Sequence, residues 1–598
     1  MSEVTNLTIK ALHKAYSTAA ETPKSLFARL RAQAIAQKEF NAWIYLLSEE
    51  ELQPYLDALE HKPFETTPLW GIPFAIKDNI DLEAIPTSAG CEKYTYLPEK
   101  SAVVVELLIA AGAIPLGKTN LDQFATGLVG TRSPFGEGKN VFNQDYVSGG
   151  SSAGSAIATS LGQVSFALGT DTAGSGRVPA AFNNLIGHKP TKGLLSTTGV
   201  VPACKSLDCV SIFTLTSEDA AKVLEVAVDA DSNDPYSRKN RPFNSLPYWE
   251  DEMPADFSFG IPDQLEFDGD TEAEKLFEFA CKQLEQLGGE CVPINFEPFL
   301  KTARLLYEGP WVAERVWATE GVDRNNMLPV IQEILATAKN YEVTDTFDAQ
   351  YKLQALKRLC DIELEKIDFV VTPTVPTCYP RSEVRQNPIA LNSKLGTYTN
   401  FMNLLDYAAT AIPVGRLSSD VSWGVTFFSQ AFSDISLLSF AGAMQRHLNL
   451  SLGATGNALS PNSSLGRPKP EVEVDVVVCG AHLEGQPLNW QLVDRGAVIK
   501  AKTNTKPAYA LYALPDGKRP ALVPENRGSA IEVEVWTMPV AEFGSFVAGI
   551  PSPLGIGKVE LESGESLPGF ICEHGGLADA TNVSEFGGWR AYLESKQN

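Results

Sequence analysis

The spacing of hydrophobic residues changes near Gly453, and this change divides the chain into two parts. Before it, segments with helical spacing, such as LTIKALHKAY, alternate with strand-like segments, such as GIPFAIKDNID, over roughly 400 residues. After it, VEVDVVVCGAHL, AYALYAL and SAIEVEVWTMP are short strand-like runs separated by turn residues. The first pattern predicts a mixed α/β domain. The second predicts a smaller, β-rich α+β C-terminal domain.

A segment without apolar periodicity joins the two parts. GATGNALSPNSSLGRPKPE is rich in Gly, Pro, Ser and Asn, which favour turns and irregular backbone over helices and strands. We therefore predict a first domain over residues 1–455, a linker over residues 456–470 and a C-terminal domain over residues 471–598.

Charge and cysteine content narrow the class of protein. The formal net charge of −24 repels phosphate groups, so we expect neither nucleic acid nor a membrane as a partner. A small anionic substrate is still compatible with this net charge, because a few cationic side chains can reverse the electrostatic potential inside one cleft. The nine cysteines are scattered without a C-x-x-C pair, and no apolar run reaches the roughly 18 residues of a membrane span. We expect a cytoplasmic protein with reduced thiols and with no metal or cofactor.

One segment matches a nucleotide-binding pattern. Gly112-Ala-Ile-Pro-Leu-Gly-Lys-Thr119 fits the P-loop spacing G-x-x-x-x-G-K-[ST]. A P-loop needs a strand before its glycines and a helix after them, whereas here the preceding VVVELLIAAG has helical character and IPLG resembles a strand. We therefore predict a helix–turn–strand connection with Gly112 at the helix end.

A stretch rich in Gly and Ser is interleaved with apolar runs between Val147 and Gly193. Within it, the small residues Thr172-Ala173-Gly174-Ser175 let backbone N–H groups converge on one cavity, as an oxyanion hole requires. Ser175 would place its hydroxyl beside that cavity. His188 is near in sequence, but we interpret it as a structural side chain.

The ordered motifs of the first domain resemble those of the amidase signature family. They are GIPFAIKDNID around Lys77, GKTNLDQFATG, SGGSSAGSA around Ser151, GTDTAGSGRVPAA around Ser175, and HKPTKG. The resemblance covers roughly residues 25 to 450. It implies amide hydrolysis and the amidase-signature fold, an α/β fold with a mixed central sheet covered by helices.

The same resemblance implies a Ser-cisSer-Lys triad. Carried over residue by residue, Ser175 is the nucleophile, Ser151 the bridging serine and Lys77 the base. The separation of 24 residues between the serines matches the family and selects Ser151 over Ser152. Lysine accepts a proton only when it is neutral, so Lys77 must be buried or hydrogen-bonded in its uncharged form. In the family, the peptide bond before the bridging serine is cis.

The C-terminal sequence resembles the C-terminal domain of allophanate hydrolases, in CGAHLEGQPLNWQLVDRGA and SPLGIGKVELESGESLPGFICE. This implies two steps. The amidase domain releases ammonia from allophanate through an acyl-enzyme at Ser175 and leaves N-carboxycarbamate, and the C-terminal domain promotes decarboxylation. His482 follows an apolar strand and suits proton transfer near pH 7. A structural histidine at a strand end is the alternative, and Arg495 and Glu542 are further candidates.

Allophanate is anionic, so its carboxylate requires a cation, preferably a planar guanidinium. The segment ARLLYEGPWVAERVWA resembles the substrate-binding stretch of allophanate hydrolases, which implies that Tyr307 and Arg315 contact the carboxylate and ureido groups. The alternative for Arg315 is an exposed position on a helix, paired with Glu308 or Glu314.

The resemblance also implies functional coupling to a biotin-dependent urea carboxylase and a homodimer. Three alternatives stay open: an amidase for another small amide, the subunit that amidates glutamyl-tRNA, and a non-catalytic amidase-fold partner of a carboxylase. The net charge of −24 and the fused C-terminal domain disfavour the tRNA alternative.

Overall fold

A computed structural model describes residues 6–254, 256–459, 465 and 473–596. The chain forms two compact units: Met1–Asn240 with Trp249–Gly466, and Arg241–Tyr248 with Arg467–Asn598. Of the predicted linker, residues 460–464 and 466–470 lie outside the described residues.

The segment Arg241–Tyr248 groups with the second unit, although its position in the sequence is in the middle of the first. Arg241 Nη1 pairs there with Asp494 Oδ2 at 3.0 Å. A boundary placed in the linker alone, as we predicted, therefore leaves this segment in the wrong unit.

The first unit is built on one mixed sheet of eleven strands. In chain order, β1 to β11 are Trp43–Leu46, Pro73–Lys77, Ile114–Thr119, Phe166–Asp171, Ile186–Lys189, Cys209–Thr214, Phe257–Pro262, Gly289–Ile294, Phe369–Pro373, Tyr407–Arg416 and Ser422–Gln430. The order across the sheet is β1-β3-β2-β4-β6-β5-β10-β11-β9-β7-β8. Strand β2 is parallel to β3 and β4, β7 is parallel to β8 and β9, and the other neighbours are antiparallel. The mixed sheet confirms the predicted α/β class.

Helices cover this sheet. In chain order, α1 to α15 are Ile9–Ser17, Pro23–Ala36, Glu49–Ala58, Val103–Ala110, Ala153–Ser160, Val178–Phe182, Ser217–Ala227, Thr271–Gln286, Glu297–Leu305, Trp311–Ala318, Pro329–Ala336, Val343–Leu364, Arg381–Gln386, Ala390–Leu395 and Asp434–Leu448. Helix α5 packs on β2, β3, β4 and β6. Its small residues allow a close approach, because a Cβ on Gly154 would lie 2.1 Å from the Ala42 carbonyl oxygen.

The segment that matches the P-loop pattern is a helix–turn–strand connection, as predicted. Helix α4 ends at Ala110, Gly112 has a φ of +94°, and β3 begins at Ile114. The ammonium of Lys118 is buried, donates to Thr87 Oγ1 at 2.9 Å and pairs with Asp78 at 3.0 Å. The protein itself therefore satisfies this lysine.

Two parallel neighbours bring chemically important residues to one edge of the sheet. Strand β2 ends at Lys77 and β4 ends at Asp171, and Ile76 is opposite Leu168 in the register. Every residue of both strands is buried. Side chains at the carboxyl ends of these strands, and in the loops that follow, are thus held close together by a rigid sheet.

The second unit is rich in strands, as predicted. Strands β12 to β19 are Glu473–Val478, Val498–Asn504, Tyr509–Ala513, Pro520–Pro524, Glu532–Pro539, Leu554–Glu560, Ser566–Cys572 and Thr581–Asn582, and helices α16 to α18 are Trp490–Val493, Val540–Ala548 and Trp589–Ser595. They form a five-stranded sheet in the order β13-β16-β12-β18-β17 and a three-stranded sheet in the order β15-β14-β19. Arg590 of α18 donates to the buried Glu534 of β16 at 2.6 Å, which fixes this helix to the sheet.

In the described part of the chain, no helix combines the length and the apolar character that a membrane crossing demands.

Candidate active site

Lys77 lies at the end of β2 in a fully buried position. Its ammonium nitrogen is 2.7 Å from Ser151 Oγ and 2.7 Å from Thr170 Oγ1. Burial, reinforced by the nearby Arg315, lowers the pKa of Lys77 to about 7, against the opposing attraction of Asp122, Asp171 and Asp208. A substantial fraction of Lys77 is therefore neutral near pH 7 and can accept a proton.

Ser151 lies just before α5, and the peptide bond between Gly150 and Ser151 is cis, as the resemblance implies. The carbonyl of Ser151 accepts from the Asp122 amide at 3.0 Å, which holds the backbone in place. The hydroxyl of the neighbouring Ser152 instead donates to the Thr170 carbonyl at 3.1 Å. Of these adjacent serines, Ser151 is the one in contact with Lys77.

Ser175 lies in the loop between β4 and α6 and is buried. Its hydroxyl donates to the Gly127 carbonyl at 3.4 Å. Within the part of the chain that the structure describes, it makes no hydrogen bond to Ser151. A relay from Ser175 to Lys77 through Ser151 thus requires the Ser175 side chain to rotate, and catalytic hydrogen bonds are often formed only once substrate is bound.

The amides after β4 are unequal as oxyanion donors. The Gly174 N–H donates to Asp171 Oδ1 at 2.7 Å, so our prediction that it belongs to the oxyanion hole is wrong. The N–H groups of Thr172, Ala173 and Ser175 have no acceptor among the described residues. They are the backbone donors available to a developing negative charge.

A buried ion pair shapes this loop, and the sequence analysis did not identify it. Arg177 Nε donates to Asp171 Oδ2 at 2.9 Å, with both side chains fully buried, and the Gly176 amide donates to the same oxygen at 3.0 Å. Although burial favours the neutral acid, Arg177 lowers the pKa of Asp171. The sequence signal that could have predicted this pair is the placement of Asp171 and Arg177, with opposite charges, on the two sides of a Gly-rich turn.

Arg315 lies on α10 and is only 3% exposed. Its Nη1 donates to Thr126 Oγ1 at 3.0 Å, its Nη2 donates to the Tyr307 hydroxyl at 3.3 Å, and the guanidinium lies 5.5 Å from the centre of the Tyr307 ring. The exposed alternative is wrong, because Glu314 accepts from Ser206 instead. The structure therefore joins the partly buried Tyr307 to the buried cation of Arg315.

Arg132 is a second buried guanidinium that sequence reasoning missed. Its Nη1 donates to the Thr126 carbonyl at 2.9 Å, so Arg132 and Arg315 bind the same residue through different atoms. Its Nη2 donates to the carbonyl of Pro388 at 2.5 Å. Pro388 and Arg315 are both far from Arg132 in sequence, so no local pattern marks Arg132 as part of the site.

His188 is a structural residue, as we interpreted it. It is fully buried, its Nδ1 lies 2.9 Å from Thr410 Oγ1, and its Nε2 lies 3.2 Å from Asp434 Oδ1. Both ring nitrogens are therefore occupied by protein partners.

The second unit contains a cavity of about 220 Å³ lined in part by His482. His482 Nε2 lies 3.0 Å from Gln491 Oε1, and its ring stacks on Phe570 with centroids 4.9 Å apart. Burial lowers the pKa of His482, so the imidazole is mainly neutral near pH 7. Arg495 and Glu542 do not line the cavity.

Arg495 contacts a residue of the cavity lining without lining the cavity itself. Its Nη1 donates to the Gln491 carbonyl at 2.8 Å and its Nε donates to Ser545 Oγ at 2.9 Å. The structure thus brings together His482 and Gln491 at the cavity, with Arg495 as a neighbour of Gln491.

Comparisons with known proteins agree with both units. The family described as Amidase matches residues 24–438, and the family described as Allophanate hydrolase C-terminal domain matches residues 474–594. A urea amidolyase of Saccharomyces cerevisiae is 43% identical over 604 residues, which cover 97% of this chain and 32% of that protein.

Solved structures are also similar to this chain over nearly its whole length. The structure of Kluyveromyces lactis allophanate hydrolase is 41% identical, with a TM-score of 0.76, over 99% of this chain and 100% of that chain. The K. lactis urea amidolyase structure is 42% identical, with a TM-score of 0.75, over 99% of this chain and 37% of that chain. The chain thus spans about a third of the length of the urea amidolyases it matches. It belongs to the amidase family and carries an allophanate hydrolase C-terminal domain.

Proposed function

We propose that this protein hydrolyses allophanate to ammonia and carbon dioxide, using Lys77, Ser151 and Ser175 for the first step and the cavity at His482 for the second. The observation that carries the proposal is the buried hydrogen bond of 2.7 Å between Lys77 and Ser151. A lysine with a pKa of about 7 beside a hydroxyl can act as a base, and an ordinary surface lysine cannot.

In the first step, Ser175 Oγ attacks the carbonyl carbon that bears the terminal amide nitrogen. Its proton passes to Ser151, whose own proton passes to neutral Lys77. The oxyanion accepts hydrogen bonds from the amides of Thr172, Ala173 and Ser175. The bond from carbon to the terminal nitrogen then breaks, the nitrogen takes a proton through Ser151, and ammonia leaves.

Water completes the first step. It attacks the acyl group on Ser175 and transfers a proton through Ser151 to Lys77, and the Ser175–acyl bond breaks. Ser175 recovers its proton, and N-carboxycarbamate is released with two carboxylates on one nitrogen.

Arg315 and Tyr307 give the first site its preference for an anionic substrate. A buried guanidinium with two neighbouring hydroxyls can bind a carboxylate with charge-assisted hydrogen bonds. This arrangement favours allophanate over biuret, which carries a neutral amide in place of the carboxylate.

The second step is decarboxylation in the second unit. One carbon–nitrogen bond of N-carboxycarbamate breaks, its electron pair stays on nitrogen, and the products are carbon dioxide and carbamate. The nitrogen takes one proton, which the neutral imidazole of His482 relays from solvent. Carbamate then gives the second ammonia and carbon dioxide.

The urea amidolyase relatives are longer than this chain, which favours a role beside an enzyme that carboxylates urea. We propose functional coupling to a biotin-dependent urea carboxylase and a homodimeric assembly.

Ammonia released per allophanate tests the proposal. We expect two ammonia molecules per substrate from the native protein, none above background from Ser175→Ala, and slower substrate turnover with biuret. The proposal is wrong if the native protein releases no ammonia from allophanate, and the triad is wrong if Ser175→Ala keeps full activity. A protein as active on biuret as on allophanate would support the amidase of broader specificity instead.

A further inference from the structure

The lining of the cavity at His482 includes one arginine and several apolar side chains. Arg519 lies among its lining residues, in the turn between β14 and β15. The apolar side chains of the lining, here called the apolar wall, include Leu488, Ile550, Pro551, Leu554 and Phe570. The lining therefore offers both a cationic contact and apolar contacts to a molecule with two carboxylates.

The guanidinium of Arg519 is fixed in direction by the protein. Its Nε donates to Asp516 Oδ2 at 2.5 Å and its Nη1 donates to the Ser552 carbonyl at 3.3 Å. The Asp516 carboxylate also accepts from the Arg519 amide at 3.1 Å, so backbone and side chain are held by the same residue. Nη2 has no acceptor within residues 473–596 and stays available to a ligand.

The proposed second step treats the two carboxylates of its substrate differently. One leaves as neutral carbon dioxide, and the other keeps its charge in carbamate. A cation on the departing carboxylate would stabilise the charge that must disappear, whereas an apolar environment disfavours that charge. A cation on the retained carboxylate carries no such penalty, because its charge is present before and after the step.

We propose that Arg519 binds the retained carboxylate of the dianionic substrate, so that the departing carboxylate faces the apolar wall of the cavity. This inference rests on the proposed function of the second unit. In the step itself, the carbon–nitrogen bond breaks, its electron pair goes to nitrogen, and the nitrogen gains one proton through His482. Arg519 takes no proton and acts by orienting the substrate.

Carbon-13 NMR of the full-length protein with labelled allophanate tests this role. The observed quantity is the lifetime of N-carboxycarbamate, normalised to the first ammonia release in the same reaction. For Arg519→Gln we expect a lifetime longer by about 10- to 100-fold, as loss of one charge-assisted hydrogen bond predicts. Arg519→Lys keeps the charge without the planar fork, and we expect an intermediate lifetime. The matched control is Arg527→Gln, an exposed arginine of the same unit outside the cavity.

The variant His482→Asn distinguishes the role of Arg519 from the proposed decarboxylation in this cavity. If His482→Asn prolongs the lifetime and both Arg519 variants match the control, the role of Arg519 is wrong and the decarboxylation site stands. If neither His482→Asn nor any Arg519 variant changes the lifetime, the second step does not occur in this cavity. A melting curve for each variant identifies loss of folding, and Arg519→Lys, which conserves the pairing with Asp516, then decides the outcome.

Discussion

Two buried lysines of the first unit differ in their partners, and this difference assigns their chemistry. Lys118 pairs with the carboxylate of Asp78 at 3.0 Å, and this ion pair opposes the lowering of the Lys118 pKa by burial. Among the residues that the structure describes, Lys77 has only neutral oxygens of Ser151 and Thr170 within hydrogen-bond distance. Burial without a directly paired anion makes Lys77 the residue that gives up its proton near neutral pH.

Activity should therefore follow the protonation of Lys77. Because only the neutral lysine accepts a proton, kcat/KM for the first ammonia release should rise with pH through about 7 and level off above it. Lys77→Arg should lower kcat by about 1,000-fold or more, since arginine stays charged. A pH profile from pH 6 to 9 is the measurement. A flat profile in the native protein would contradict a role for Lys77 as the base.

Removal of Arg315 should change both affinity and the pH profile. For Arg315→Gln we expect kcat/KM for allophanate to fall by about 100-fold, because the carboxylate loses a charge-assisted contact. Loss of this cation should also raise the pKa of Lys77 and move the pH profile to higher pH. Arg304→Gln, an exposed change on α9, is the control. An unchanged preference for allophanate over biuret would exclude Arg315 as the carboxylate contact.

Site residues that lie in a local motif could be predicted from the sequence, whereas residues whose partners are distant in sequence could not. Lys77, Ser151 and Ser175 each lie in a recognisable block, and their positions near one sheet edge agree with that reading. Arg132 contacts Pro388, which lies 256 residues away. The engagement of the Gly174 amide by Asp171 was equally hidden, because it depends on how a short loop bends.

At the level of elements, the loop from β4 to α6 owes its shape to a charge pair as well as to its glycines. Asp171 accepts from the amides of Gly174 and Gly176 and from Arg177. These bonds turn the backbone so that the remaining amides have no acceptor in the described structure. In the proposed mechanism, the ion pair therefore positions the amides that would bind the oxyanion.

Arg177→Met should destabilise the first unit by about 3–5 kcal/mol, because it leaves the buried Asp171 carboxylate without its cation. The folded pKa of Asp171 is lowered, so its contribution to stability is present above its unfolded pKa of about 4 and is lost as pH falls further. Urea unfolding at pH 7 and at low pH measures both effects. The matched control is Arg358→Met, at an exposed position on α12. Equal unfolding free energies for both variants would contradict the structural role of the pair.

For the whole molecule, the sequence predicted the two architectures and a boundary in the linker, but not the grouping of Arg241–Tyr248 with the second unit. The α/β class of the first unit follows from alternating helical and strand-like segments, and the β-rich second unit follows from short strand-like runs. The segment Arg241–Tyr248 has no such run, and its place depends on contacts with residues such as Asp494 that no local pattern encodes.

A protein truncated after residue 455 should keep the first ammonia release, because Lys77, Ser151, Ser175 and Arg315 all belong to the first unit. We expect it to lose the accelerated second step and to be cut more readily by proteases within Arg241–Tyr248. Ammonia assays and limited proteolysis of the truncated and full-length proteins are the measurements. Loss of the first ammonia release would show that the two units are not chemically separable.

The grouping of Arg241–Tyr248 with the second unit also means that this segment is synthesised well before its contact partners. Arg241 and its partner Asp494 are 253 residues apart. At a ribosomal rate of about 5–20 residues per second, the segment leaves the ribosome roughly 13–50 seconds before that partner is made. During this interval strands β7 to β11 are translated and can join the sheet of the first unit. We therefore expect Arg241–Tyr248 to pair with the second unit only after the strands of the first unit have left the ribosome.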